Sequence, residues 1–144
     1  MSPALPDLLA GLVAAMTAPA PPEAGGDYAA ARVGLISSLL ILAAQEADQG
    51  PGARRWENET LAGLLVETAP AYGEVLAPHL HLARTPAPAD LGWRALDTRN
   101  AGLRRGLIAL HEAAEARGDK PLQTRVLALY QEIAARRRLV LPLT

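Results

Sequence analysis

The feature that most constrains the fold of this chain is the spacing of apolar residues between Leu91 and Asp119. Apolar positions recur there every three or four residues, which is the period of one face of an α-helix. These positions are Leu96, Leu103, Leu107, Leu110 and Ala114, with Asn100 on the same seam. We therefore predict a long helix over residues 91–117 that packs against other helices through this seam.

A second asparagine is predicted to enter the same core. Asn58, Leu61 and Leu65 repeat the pattern N-x-x-L-x-x-x-L on another predicted helix. A buried amide is costly unless it is hydrogen-bonded, and a single Asn can fix the register of packed helices. The favoured interpretation is that Asn58 and Asn100 have this structural role. The sequence leaves open whether the two amides bond to each other, because their helices could also lie diagonally across a bundle. The alternative is that they face a cavity that holds a polar ligand.

If the two asparagines face a ligand-binding cavity, the charged residues near them in sequence would form a polar cluster with them. Glu57 and Arg99 are their neighbours in sequence, and His111 lies further along the long helix. The candidate cluster therefore consists of Asn58, Asn100, Arg99, Glu57 and His111. It would line a cavity that binds a small molecule or supports its hydrolysis, but no residue is assigned a catalytic role.

Composition and charge limit the class of protein. Half of the 144 residues are hydrophobic but only 3% are aromatic, so the core must consist of Leu, Ala, Val and Ile, as in helical bundles. Cysteine is absent, which excludes disulfides, thiolate zinc sites and a cysteine nucleophile. The net charge of −1 comes from 14 basic and 15 acidic residues, so nucleic acid is not an expected partner.

Two helices are predicted before residue 50. A Pro- and Gly-rich connection over 18–26 separates them, and Gly50 and Pro51 are predicted to end the second helix, 27–49. The first helix has one apolar face, which carries Leu5, Leu8, Leu9, Leu12, Val13 and Met16.

The second helix is apolar on almost every side over 33–44, which is typical of the central member of a bundle. Its charged end, Glu46 and Asp48, is predicted to lie in solvent. No uninterrupted apolar run approaches the length that spans a bilayer. The N-terminal apolar run also lacks the basic residues that begin a secretion signal. We therefore expect a soluble, cytoplasmic protein.

The middle of the chain is predicted to contain a third helix and then short pieces. The third helix covers 53–67, with Leu61, Leu64 and Leu65 as its buried face, and Pro70 stops it. Further prolines weaken the pattern after this point. One or two short helices are expected between residues 72 and 83, followed by a loop over 84–90.

The last helix is predicted to start after a left-handed turn at Gly118. Asp119 caps it, and Pro121 is tolerated in its first turn. Its inward residues are expected to be Leu122, Val126, Leu129, Tyr130 and Ile133. The apolar tail 139–144, LVLPLT, is expected to dock on the domain or on a second subunit.

The predicted fold class is therefore all-α. The chain is expected to form one domain, 1–144, a helical bundle of four long helices plus one or two short ones. Short connections predict that helices two and three, and helices four and five, form antiparallel hairpins.

Histidine spacing gives little support for a metal site. His79 and His81 form an H-x-H pair, and His111 would supply a third imidazole of the kind that zinc accepts. However, an i, i+2 pair suits a strand better than a helix, and the E-x-x-H pairs of di-iron bundles are absent. We expect no bound metal and no cofactor.

The octad 104–111, RRGLIALH, contains an R-x-x-x-x-x-H arrangement made by Arg105 and His111. It resembles the signature of HEPN-type helical ribonucleases, in which Arg and His from paired helices meet at a dimer cleft and cleave RNA. The resemblance implies that Arg105 and His111 would act on RNA. Gly106 stands where that family tends to place a polar residue, and a solvated charged face is the favoured interpretation.

The first half of the chain resembles a group of small bacterial all-helical proteins. The resemblance rests on PALPDLL, then DYAAARVGLISSLLILAAQEAD, then ENETLAGLL. In this group a tyrosine begins an alanine-rich helix, and an acidic residue and leucines follow. The corresponding residues here are Tyr28, Glu46, Glu57, Leu61 and Leu64. The group has no assigned chemistry, so the resemblance implies a fold but no activity.

The sequence as a whole favours a helical interaction or assembly module without catalytic activity. Such a module is expected to form a homodimer by burying leucine-rich surface. Two alternatives remain from the same residues. One is a small-molecule-binding or hydrolytic bundle with a polar cavity around Asn100, and the other is a HEPN-like ribonuclease that uses Arg105 and His111.

Overall fold

A computed structural model describes residues 5–19, 25–87 and 92–141. All regular secondary structure in these ranges is α-helical, which confirms the all-α prediction. The helices are α1 (Leu5–Thr17), α2 (Gly26–Arg84), α3 (Trp93–Ala116) and α4 (Lys120–Arg136). The predicted helix start at Leu91, the middle of the 18–26 connection, the end of the 84–90 loop and tail residues 142–144 lie outside the described residues.

The chain divides into two compact units, which are described separately. The first comprises the described residues of Met1–Gly50 together with those of Arg137–Thr144, and the second is Pro51–Arg136. Helix α2 contributes residues to both units.

Helix α2 corrects the prediction for the middle of the chain. Gly50, Pro51 and Pro70 are all helical, so the predicted helix ends at Gly50 and at Pro70 are wrong. A proline removes one main-chain hydrogen bond and crowds the preceding turn, but the ladder on either side of it persists. Tight packing after Pro51, where Leu61 and Leu65 are fully buried, offsets this local cost.

The chain reverses direction inside α2, at Tyr72. Its φ of −123° and ψ of 17° are not helical. Ala62 and Ala83 line the same cavity, although a straight helix would hold them about 30 Å apart. Within the second unit α2 therefore consists of two arms, residues 51–71 and 73–84, that fold back on each other. The second arm is one helix over residues 73–84, where we predicted one or two short helices.

The segment between α3 and α4 braces this reversal. The Tyr72 hydroxyl donates a hydrogen bond of 2.8 Å to Asp119 Oδ2. The Arg117 guanidinium lies 4.4 Å from the centre of the Tyr72 ring and donates a bond of 2.6 Å to the carbonyl of Ala71. The bend thus depends on residues that are more than forty positions away in sequence.

The buried seam of α3, the turn at Gly118 and the cap at Asp119 are found as predicted. Gly118 has a φ of 66°, and Asp119 Oδ1 accepts a bond of 3.1 Å from the backbone N–H of Leu122, which caps α4. Tyr130 is partly buried against the core. The core of the second unit consists of Leu61, Leu64, Leu65, Tyr72, Leu76, Ala83, Leu103, Leu107, Leu110, Ala114, Leu122, Val126, Leu129 and Ile133.

Two glycines allow α3 to approach α2 closely. A Cβ on Gly106 would lie 2.8 Å from Leu65 Cδ1 and 3.1 Å from His79 Cβ. A Cβ on Gly102 would overlap Cδ2 of Leu82, which is the far end of a flexible side chain. The close approach is stricter at Gly106, where Leu65 is fully buried and the His79 Cβ has no side-chain freedom of its own, than at Gly102, where Leu82 is only partly buried.

The Met1–Gly50 unit buries fewer apolar side chains than predicted. Leu8 and Leu12 of α1 are buried, but Leu9, Val13 and Met16 are 44–59% exposed. The six apolar positions predicted on one face span about 140° of the helix surface, and a single neighbouring helix covers only part of such an arc. The prediction that all six face inward is therefore wrong for the single chain.

The first half of α2 shows the same departure. Val33, Leu35, Leu40 and Ile41 are 37–63% exposed, so this segment is not a central, surrounded helix within one chain. Glu46, predicted to lie in solvent, is instead buried, because it shares a face with the buried Ala43 and Gly50.

The described part of the apolar tail docks on its own chain. Gln45 Nε2 donates a bond of 2.6 Å to the carbonyl of Val140, and Gln45 Oε1 accepts one of 2.9 Å from the Val140 N–H. The Val140 and Leu141 side chains nevertheless remain about half exposed. The tail is thus held through its backbone while its apolar side chains face outward.

Candidate functional site

The two seam asparagines lie together between α2 and α3. Asn100 Nδ2 donates a hydrogen bond of 2.9 Å to Asn58 Oδ1, and Asn58 Nδ2 donates one of 3.1 Å to the carbonyl of Leu96. Both side chains are buried. The helical spacing placed both amides on buried seams but left open whether they touch; in the structure they bond to each other. Such a buried amide pair favours one register of two packed helices.

Ion pairs flank the asparagine pair on both sides. Arg104 Nε lies 2.6 Å from Glu57 Oε1, and Arg54 Nε lies 2.5 Å from Asp97 Oδ1. Glu57 and Arg54 are buried, so each pair is shielded from solvent on at least one side. Each pair joins a residue of α2 to a residue of α3, so both belong to the interface between these helices. A buried charge that loses its partner is strongly destabilising.

The arginines of these two pairs, Arg54 and Arg104, are not among the residues predicted for the site. Arg54, Glu57 and Asn58 share one face of α2 by their spacing of three and four. The partner residues Asp97, Asn100 and Arg104 share one face of α3 in the same way. The sequence therefore contains two complementary polar helix faces. They indicate ion pairs only once the two helices are known to be neighbours.

Arg99 lies beside this polar interface and is only 9% exposed. Its Nη2 donates a hydrogen bond of 2.7 Å to the carbonyl of Thr85. Its Nε is buried and has no hydrogen-bond partner among the described residues. A buried guanidinium with an unused donor is costly, so this side chain requires an explanation beyond packing.

A cavity of about 550 Å³ opens next to Arg99 within the Pro51–Arg136 unit. Its walls come from both arms of α2, from the segment that follows α2, and from α3. The lining residues are Arg55, Asn58, Glu59, Ala62, Ala83, Arg84, Thr85, Pro86, Ala87, Leu96 and Arg99. The structure therefore gathers Asn58 and Arg99 of the predicted cluster at a real cavity, with Asn100 and Glu57 in the interface behind it.

His111 lies apart from the other residues of the predicted cluster. It follows Asn100 by eleven positions on α3, which is about 16 Å along the helix axis. Its Nε2 is 3.7 Å from Glu115 Oε1, and its ring centre is 5.9 Å from that of Tyr130. Burial raises the pKa of the Tyr130 hydroxyl above its ordinary value. His111 thus belongs to the contact between α3 and α4.

Two further candidate sites were considered, the Arg105 and His111 ribonuclease pair and a histidine metal site. Within one chain the described residues of neither site come together. Arg105 is exposed, and six positions of helix place its side chain about 120° around α3 from that of His111. Among the described residues, no three His, Asp or Glu side chains form a group that would hold a metal ion.

Comparison with protein-family models, curated proteins and solved structures finds no match for this chain. The resemblances of its first half to small bacterial helical proteins and of its 104–111 octad to HEPN-type ribonucleases therefore stay predictions.

Proposed function

We propose that this protein is a non-enzymatic assembly module that forms a homodimer through its N-terminal helices. In this proposal the Pro51–Arg136 unit is the folded body, in which α3 and α4, joined at Gly118, form an antiparallel hairpin. The exposed apolar side chains of α1 and of the first half of α2 are the surface that pairs. We call this surface the N-terminal apolar surface; its members are Leu9, Val13, Met16, Val33, Leu40 and Ile41.

The exposure of these side chains is the observation that carries the proposal. Leu9, Val13 and Met16 recur at i, i+4 and i+7, so they form a stripe along α1. Val33 and Leu40 are separated by seven residues and form a second stripe on α2. Each is between 37% and 63% exposed. Exposed apolar side chains that recur at helical spacing mark a surface that a partner covers.

A second copy of the chain is the occupant that fits this surface best. No charged residue occurs from Val33 to Gln45, so the α2 stripe offers no charge by which a different protein would be selected. An apolar helical stripe is complementary to itself, which is what a two-fold dimer requires. Two copies of the α1 and α2 stripes would together build the apolar centre of a four-helix arrangement.

A membrane is a weaker alternative. By length and composition, Gly26–Arg84 is the one described helix that would be able to cross a bilayer. Its uncharged run from Val33 to Gln45 is about 20 Å long as a helix, whereas the hydrocarbon core is about 30 Å thick. We therefore keep a cytoplasmic location as part of the proposal.

A matched pair of substitutions tests the dimer surface. Leu40 on the N-terminal apolar surface is 50% exposed, and Ile108 on α3, outside it, is 51% exposed. Leu40→Glu places a charge in the proposed interface, so we expect sedimentation velocity to show a monomer. Ile108→Glu adds the same charge at equal exposure elsewhere and is expected to leave the dimer intact.

Two results would refute the proposed surface. One is an unchanged dimer in Leu40→Glu, and the other is equal dissociation of both variants. The helical content of each variant, measured by far-ultraviolet circular dichroism, shows that a change in mass does not come from unfolding.

A further inference from the structure

We propose that the cavity beside Arg99 binds a small organic oxyanion, a molecule with a carboxylate or phosphate head and a short apolar body. The cavity lies wholly within the Pro51–Arg136 unit. The inference is therefore independent of self-assembly through the N-terminal apolar surface.

The charge of the cavity wall selects an anion. Three arginines line the cavity, Arg55, Arg84 and Arg99, against one carboxylate, Glu59. Arg55 Nε is 2.9 Å from Glu59 Oε1, so that pair is neutral. Among the described residues, neither Arg84 nor Arg99 forms an ion pair. Two guanidinium groups thus remain for a ligand, and guanidinium matches the oxygens of carboxylate and phosphate.

The burial of Arg99 separates this cavity from an ordinary basic surface. The bond from Arg99 Nη2 to the carbonyl of Thr85 holds the guanidinium in place, while its buried Nε has no partner. A buried positive charge is tolerated when a countercharge is near. An oxyanion in the cavity would supply that countercharge to a group already held in position, so little ordering is needed on binding.

The size and the remaining walls of the cavity define the rest of the ligand. A volume of about 550 Å³ lies within the usual range of small-molecule sites. Ala62, Ala83 and Leu96 supply apolar wall. The Asn58 amide is held by Leu96 and Asn100, so it presents a fixed polar edge. The combination suits a compact molecule with one charged end.

Titration with simple probes tests the site. Sodium butyrate and inorganic phosphate are added separately to the ¹⁵N-labelled protein, and the Nε–Hε resonance of Arg99, assigned by its loss in Arg99→Lys, is followed. We expect a saturable shift with a Kd on the order of 1 mM for at least one probe. Butyramide, the neutral counterpart of butyrate, is expected to leave the resonance unchanged.

Variants locate the binding. Arg84 is exposed, so Arg84→Gln is expected to keep the fold and to weaken binding by about tenfold. Arg105 is also exposed on the surface, but outside the cavity, and Arg105→Gln is expected to bind like the parent. Thermal unfolding of both variants verifies that they are folded.

The two probes also distinguish the head group. Binding of butyrate alone assigns a carboxylate ligand, binding of phosphate alone assigns a phosphate ester, and similar binding of both assigns a site for either oxyanion. The proposal is overturned if neither probe gives a saturable shift, if butyramide binds as well as butyrate, or if Arg105→Gln weakens binding as much as Arg84→Gln.

Discussion

Asn100 is expected to stabilise the fold because it supplies a hydrogen-bond donor to the buried Asn58 Oδ1. Its amide donates to Asn58 Oδ1 in a buried interface, so Asn100→Leu removes that donor without removing the oxygen. We expect the variant to lose about 1–3 kcal/mol of unfolding free energy, because a buried acceptor that loses its donor carries most of its desolvation cost. Denaturant titration measures this loss.

The double variant Asn58→Leu/Asn100→Leu completes the test of the pair. Because both polar partners are then removed, its loss is expected to be smaller than the sum of the two single losses by about 0.5–3 kcal/mol. Greater stability of Asn100→Leu than of the parent would show that the pair does not stabilise the fold, and that the amide has another role.

Asp119 makes part of the stability dependent on pH. The hydrogen bond from the Tyr72 hydroxyl, and then that from the Leu122 N–H, lower the pKa of Asp119 below its ordinary value. Since the folded pKa is lower than the unfolded one, this contribution is complete above the unfolded pKa and disappears as the pH falls through the folded pKa. We expect Asp119→Asn to be less stable than the parent at pH 7, with the difference shrinking below about pH 4.

Tyr72→Phe is the matched control for this effect. It removes the hydroxyl that is the largest cause of the lowered pKa but keeps the aromatic ring in the core. The acid dependence of its unfolding free energy is therefore expected to lie between those of the parent and of Asp119→Asn. A difference between the parent and Asp119→Asn that stays constant from pH 7 to pH 3 would contradict the account.

At the scale of single helices, α3 depends on a close approach to α2. Gly106→Ala would place a Cβ 2.8 Å from Leu65 and 3.1 Å from His79, and we expect it to destabilise the fold by about 1–3 kcal/mol, as overpacking does. Gly63, exposed on α2 with nothing near its Cβ position, is the control. Gly63→Ala is expected to stabilise by about 0.5–1 kcal/mol, because alanine favours helix.

Thermal unfolding of the two glycine variants compares them directly. Equal stabilisation by both substitutions would mean that the interface of α2 and α3 is looser than the structure shows. A small effect of Gly102→Ala is consistent with the account, because only the end of the Leu82 side chain stands in the way.

Apolar periodicity predicts the helices whose ends and buried faces depend on nearby residues. It does not predict bends or helix continuations that depend on contacts with residues far away in sequence. The seams of α3 and α4 and the cap at Asp119 follow from local rules. The bend at Tyr72 does not, because it is braced by Arg117 and Asp119 of a later segment. The helical continuation through Pro51 also escaped prediction, since packing of later residues offsets a local cost that the sequence displays plainly.

In the whole molecule, the sequence indicates two buried asparagines and, as an alternative, a polar cavity beside them, but not the full set of residues that line the cavity. Asn58 and Asn100 stand out because they interrupt apolar seams. Arg84 and Thr85 do not, because they reach the cavity only through the fold-back of α2. His111 was included from its position in the sequence, and its distance along α3 separates it from the rest.

The sequence shows that the Met1–Gly50 unit is rich in apolar residues, but it does not show that many of their side chains are exposed. Periodicity shows which side chains share a face, whereas the number of neighbouring helices decides whether that face is covered. In a single chain α1 and the first half of α2 leave Leu9, Val13, Met16, Val33 and Leu40 exposed. The proposed self-assembly would cover this surface with a second copy of the chain.

The most direct test of this account is the molar mass of the purified protein in solution, measured by multi-angle light scattering over a dilution series. The chain has a mass of 15.1 kDa. For a homodimer we expect twice that mass at the high end of the series, falling towards the single-chain value on dilution as the dimer dissociates. A single-chain mass at every concentration would contradict self-assembly through the N-terminal apolar surface.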